Sequence, residues 1–284
     1  VPSFIRNTSG GKAISGGSLA PRSRRASTAQ VASYWSGGSL LPPTAIDFLL
    51  IAGGGGCALG GAGAGGYRSF TGTAVTAGTQ YTITVGGGGN GTGNQNSYGS
   101  GTGGASSAFS YSASGGGSGG GIYGAGGSGG SGGSAGASNG GQGYGAKGLG
   151  NVGNYTPAEG YDGVQASSSG NPGGGGSGGL PSQFSTAGVG TSSSITGSAV
   201  TRARGGHGGD IVLVSGANTG NGGSWNGTTN VADTVNSGGS GVVIIAYPST
   251  FAEATATTGS PTYSSSSRSG YHVYTFTGTG SITF

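Results

Sequence analysis

The residues that offer chemistry in this chain are few, and most of their spacings fail the chemistry they suggest. The apolar run IDFLLIA at 46–52 opens onto GGGGCA at 53–58, which fits the looser dinucleotide fingerprint G-x-G-x-x-A. That fingerprint needs a helix after the glycines and an acid about 20 residues on. More glycine follows instead, and no Asp or Glu lies between Asp47 and Glu159. SGGKAIS at 9–15 approaches a phosphate loop, but Arg6 stands where the first glycine belongs, so it reads as plain linker sequence. Two histidines (His207, His272), six acids and one cysteine (Cys57) are poor material for a metal site. Serines are abundant, yet none has a base, an orienting acid and a nucleophile-elbow context. Asn-x-Ser/Thr matches at Asn7, Asn90, Asn154 and Asn226 are what a Ser/Thr/Asn-rich chain yields by chance. No catalytic, cofactor or metal residues are expected, and no enzyme.

Binding is better served than catalysis. Tyr155, Tyr161 and Trp225 stand in irregular stretches of a chain with few large side chains. Such rings either stack on sugars and anchor a partner, or pack on glycine faces as small satellite cores. Arg202, Arg204 and His207, in RARGGHGGD, are polar candidates of the same kind; a solvated loop histidine is the plainer reading of His207. Reversals of a long glycine block lie at its ends, so 151–171 and 216–236 are expected on the outside, where a partner is met first.

The scaffold that must position these residues is dominated by 76 glycines among 284 residues, with 6% charged and 31% hydrophobic. Disorder is the usual fate of such compositions. Against it stand segments rich in Val, Ile, Tyr, Phe and Thr at 46–52, 79–85, 242–247 and 271–284. The glycine-richest stretch, 115–150, contains GGSGGSGGS at 126–134, where a period of three suits a polyproline-II-like turn. Only 9 prolines and a broken triplet exclude collagen. At ~3.1 Å per residue that stretch would run about 110 Å if straight, so it must fold back on itself. Ordering a glycine costs roughly 1–2 kcal/mol, while a backbone hydrogen bond returns a net 0.5–1.5 kcal/mol or so. A glycine bundle therefore needs β-structure to clamp it. The expected fold is mainly β: short, sandwich-like strands clamping polyglycine-II helices, without significant α-helix.

Residues 1–44, rich in Ser, Gly, Arg and Pro, read as a docking arm, and 45–284 as one glycine-rich domain. Arg22, Arg24 and Arg25 are the one basic cluster; with Tyr34 and Trp35 they are the candidates for gripping an acidic protein surface. The net charge of +4 comes from few residues and gives no basic stripe interleaved with aromatics, so nucleic acid is not expected. No apolar run reaches membrane-spanning length, and no secretory signal is seen. A valine start without any methionine points to a processed or partial N-terminus. Between the named segments, Tyr67–Thr73, Ala105–Ser112 and Thr191–Thr201 read as strands.

Several stretches together carry a resemblance: IDFLLIAGGGG (46–56), GAGAGGYRSFTGTAVTAGTQYTITVGGGG (61–89), SSSITGSAVT (192–201), SGGSGVVIIAYPSTFAEATATTGSPTY (237–263) and GYHVYTFTGTGSITF (270–284). In them the chain resembles the glycine-rich domain of bacteriophage virion structural and tail-fibre proteins, of marine and cyanophage type. More distantly it is similar to the polyglycine-II tip adhesins of T-even phage long tail fibres. The resemblance implies a virion-surface appendage that docks on other virion proteins and displays loops to a host glycan or outer-membrane protein, with self-association left open. Two other readings remain open: a purely structural virion decoration, and an ice-binding or matrix protein. Against the last, threonines gather in strands rather than recurring every third residue in the glycine blocks.

Overall fold

The apolar run at 46–52 becomes β1 (Ala45–Ile51), and it is apolar throughout because both its faces are covered. The computed structural model describes residues 40–92, 100–136, 145–167, 170–182, 186–209, 215–225 and 236–284. The arm candidates Arg22, Arg24, Arg25, Tyr34 and Trp35 lie outside the described residues. No helix occurs among those described.

Around β1 an antiparallel sheet forms from β2 (Tyr67–Ala74), β8 (Val242–Pro248), β10 (Thr262–Ser264) and β11 (Tyr271–Phe276), in the order β10-β11-β8-β1-β2. A second sheet has the order β5-β4-β3-β12-β9, from β3 (Gln80–Thr84), β4 (Ser106–Ala108), β5 (Tyr111–Ala113), β9 (Ala256–Thr258) and β12 (Gly280–Thr283). The two sheets share one core. Ile46, Phe48 and Leu50 from β1, with Val243, Ile245 and Tyr247 from β8, meet Ile83, Ala108 and Ile282 of the second sheet. The alternate residues Leu49 and Ile51, with Val242 and Ile244, face the other way and are covered by Ala64, Ala203 and Ile195. Period-two alternation sends these two sets to opposite faces.

Three sequence readings change in detail. Ala105–Ser112 is a hairpin rather than one strand, because Phe109 (φ 51°) and Ser110 (φ 66°) both turn left-handed between β4 and β5. Phe109 is held there by packing: its ring centre lies 5.0 Å from those of Phe48 and Tyr81. Thr191–Thr201 is likewise a hairpin of β6 (Thr191–Ser193) and β7 (Val200–Arg202), reversed where Gly197 takes φ 101°. Tyr271–Phe284 splits into β11 and β12, which belong to different sheets.

The glycine blocks form a bundle at one end of the sandwich. β1, β3 and β5 run out into glycine, and β2, β4 and β8 start from it. Successive residues there bond to different neighbours, and every third returns to the same one. Gly53 and Gly56 donate to Gly104 and Gly101 (2.9 and 2.8 Å), Gly54 and Cys57 donate to Gly239 and Asn236 (2.9 and 2.7 Å), and Gly55 donates to Gly63 (3.0 Å). This is the three-residue turn of packed polyglycine-II helices. None of the described glycines at 53–66, 115–121, 124–136 or 145–150 has φ in the left-handed region. The long block does fold back. Residues 115–121 run outward, 124–130 return, 131–136 run outward again, and 145–150 return, as the parallel pairs Gly117–Ser131 and Gly126–Ala146 require.

Candidate functional site

Following those directions places 151–160 and Trp225 at opposite ends of the bundle, while 216–220 starts near the sandwich, beside Ile51 and Ser240. The segment 151–160 links a run that returns to the sandwich with one that leaves it, so it sits at the junction. Trp225 instead is the outermost described residue of an outward run, 219–225, that parallels 203–207 through the bonds Ala203 N–H to Thr219 O and Trp225 N–H to His207 O (2.8 and 3.1 Å).

At the junction, side chains replace glycine contacts. Asn151 and Asn154 adopt φ 51°, a conformation asparagine tolerates. The Asn151 side chain closes the loop: its Oδ1 accepts from Tyr155 N–H and Glu159 N–H (3.1 and 3.3 Å), and its Nδ2 donates to Tyr155 O (3.1 Å). Glu159 is 0% exposed and fastens the loop to both sheets. Its Oε2 accepts from Ser114 N–H (2.8 Å) and its carbonyl accepts from Tyr67 N–H (2.9 Å), while Oε1 has no hydrogen-bond partner. Glu159→Ala would strand the Ser114 donor in the interior, an expected loss of about 1–3 kcal/mol. Glu159→Gln keeps an acceptor there and should lose less. Thermal melts of the two variants check this; an alanine variant as stable as the parent would remove Glu159 from the list of fastenings.

Tyr155 is engaged inside the protein. The Arg68 guanidinium lies 3.6 Å from its ring centre, and its hydroxyl is 2.9 Å from Ser112 Oγ. Arg68 also donates to Ser112 O (2.6 Å) and stands 4.9 Å over Phe70. Tyr161, in contrast, is 43% exposed. Next to it the Asp162 carboxylate accepts from Gly150 N–H (2.8 Å) and pairs with Lys147 (2.9 Å). Burial alone would raise that carboxyl; the Gly150 bond and the Lys147 contact outweigh it and hold the group below its ordinary range.

A cavity of about 460 Å³ lies among the start of β2, this loop and the β6–β7 hairpin, lined by Tyr67, Arg68, Thr156, Tyr161, Ser177 and Thr191 among others. Ser177 Oγ and Thr191 Oγ1 are 2.8 Å apart on its wall. Burial raises the Tyr67 phenol, against the smaller opposing effects of a Ser193 hydrogen bond and the Arg202 charge, so Tyr67 stays a neutral hydroxyl. Arg202 pairs with Thr191 across the hairpin and therefore shares its face. Its guanidinium is pushed below its usual value by burial, which the neighbouring Tyr67 partly offsets, and its Nη1 is buried without a hydrogen-bond partner.

The other three candidates form a separate group on the outward runs. Arg204 Nη2 donates to His207 Nε2 (3.3 Å), which must accept because a guanidinium has only donors. His207 is buried at 4% exposure, with its backbone N–H donating to Ser224 Oγ (3.0 Å). Trp225 is half-buried. The structure thus brings Tyr155, Tyr161 and Arg202 to one place, and Arg204, His207 and Trp225 to another. Sequence reading passed over Tyr67, Arg68, Ser177 and Thr191. The first two carried a usable signal: they are the first large side chains after a glycine block, and so begin a strand at the junction.

A family model described as a glycine-rich domain matches residues 28–248, well over half of the chain. No curated protein and no solved structure matches.

Proposed function

The chain belongs to the glycine-rich domain family, and from that premise we propose that it is a surface component of a bacteriophage particle, a tail-fibre or capsid-fibre protein that presents a binding site to the host. The arm at 1–44 docks it on other virion proteins, and the bundle and sandwich form a stiff mount. The observation that carries the reading is Tyr161: a large ring left 43% exposed on the rim of a cavity, on a loop pinned by Asn151, Glu159 and Asp162. An exposed aromatic on a rigid support loses little conformational freedom on binding and suits the face of a sugar ring. A surface glycan fits better than a strongly anionic polymer, because the charge is slight.

Particles carrying Tyr161→Ala should assemble normally and adsorb to host cells at least tenfold more slowly. The same change at Trp225 samples the outer group independently. Undiminished adsorption of the double variant would leave the decoration reading in its place.

A further inference from the structure

The junction cavity has one cation on its walls, a second beside it, and no anion among the described lining residues. Arg68 lines it, and Arg202 stands on the same hairpin face as the lining residue Thr191, next to the lining residue Tyr67. Among the described residues, no Asp or Glu is on its walls. Glu159, adjacent in sequence to the lining residue Ala158, is fully buried with Oε2 committed to Ser114 N–H. Arg68 spends its charge on aromatic rings and one carbonyl. The Arg202 guanidinium stands beside the Tyr67 phenol, and its Nη1 is buried without a hydrogen-bond partner among the described residues. A half-buried guanidinium with an unpartnered nitrogen is costly in a folded chain and gains from a ligand that brings a carboxylate.

The rest of the wall is not that of an ion site. Tyr161 offers an exposed ring, and Thr156, Ser177, Thr191 and Tyr67 offer hydroxyls that both donate and accept. A cavity of about 460 Å³ falls in the range of small-ligand pockets and has room for one or two sugar rings. We infer that this cavity binds an acidic saccharide, a sugar unit bearing one carboxylate. The carboxylate turns toward Arg202, the ring face lies on Tyr161, and the ring hydroxyls meet Ser177 and Thr191. A phosphate group would be better served by several converging donors, whereas Arg68 is already held by Tyr155 and Ser112.

This rests on reading the junction as the receptor-facing site, but its test uses the purified full chain and no particle. Titration calorimetry with digalacturonic acid, with a neutral disaccharide (lactose), and with glycerol phosphate separates the chemistries. Digalacturonic acid should bind at least tenfold more tightly than either of the others. Arg202→Gln should remove that preference, and Tyr161→Ala should weaken both disaccharides together. Amide shifts of Ser177 and Thr191 in the unmodified protein supply a measure independent of any variant: they should move with digalacturonic acid at saturation. Equal affinity for the neutral sugar, tighter binding of glycerol phosphate, or unmoved amides at millimolar ligand would each overturn the inference. Adsorption assays judge the appendage reading separately, so the cavity can fail as an acid-sugar site while the appendage stands, and the reverse.

Discussion

Gly53→Ala is expected to break the bundle open. A Cβ at that position would lie 1.9 Å from the carbonyl oxygen of Gly87 and 2.6 Å from its carbon. Both are backbone atoms, so no side-chain rotation relieves the clash. Gly53 is also tied on two sides, donating to Gly104 O (2.9 Å) and accepting from Gly116 N–H (2.8 Å). Moving it away from Gly87 strains both bonds. Overpacking a side-chain core costs about 1–3 kcal/mol, and a clash with hydrogen-bonded backbone should exceed that. Gly87→Ala is the matched control: nothing lies within 4 Å of its added Cβ, and its φ is not left-handed. That variant should equal the parent or gain about 0.4–1 kcal/mol from a less flexible unfolded chain. Urea titrations of the pair decide the matter. Equal midpoints would mean that the helices do not pack backbone to backbone.

What could be read in the sequence was what is written locally. Phe48, Leu50, Ile83 and Ile245 announce buried strands by apolar content and alternation, and β1, β3 and β8 fall within a residue or so of where they were expected. The triplet GGSGGSGGS announces a three-residue turn, and the bonding pattern has that period. Local pattern says nothing of which turn meets which, so the pairing of Gly54 with Gly239, or of Ala64 with Gly175, had no signal. Exposed strands were equally silent. Ala256–Thr258 is exposed throughout, so β9 lacks the burial that produces alternation. The site was half legible: Tyr161 and Arg202 were named, but the cavity that Tyr161 lines depends on β2 meeting a hairpin more than a hundred residues away in the chain. Tyr155 looked as available as Tyr161. The difference is Arg68, which reaches Tyr155 from the adjoining strand.

Phe48→Ala should destabilise the bundle as well as the sandwich, although Phe48 packs in the core of the latter. Its side chain is fully buried, stacks on Phe70 at 4.5 Å and packs on Phe109 and Tyr111 at 5.0 and 5.8 Å. Removing such a ring costs about 3–5 kcal/mol. The bundle has little of its own to resist that loss. Each ordered glycine gives up roughly 1–2 kcal/mol and recovers a similar or smaller amount from its hydrogen bond. Its helices start from and end in the strands, as at Ile51–Gly53, Gly66–Tyr67, Thr84–Gly86 and Gly241–Val242. Fixing those ends removes loop-closure entropy that an isolated glycine chain would have to supply. Hydrogen exchange reads both parts at once. In the parent, the amides of Gly54 and Gly117 in the bundle should exchange with the same opening free energy as those of Leu50 and Ile244 in the sandwich. In Phe48→Ala all four should fall by about the same 3–5 kcal/mol. Should the glycine amides keep their protection while the strand amides lose theirs, the bundle stands without its clamp and the helix-to-helix contacts carry more than backbone hydrogen bonding supplies.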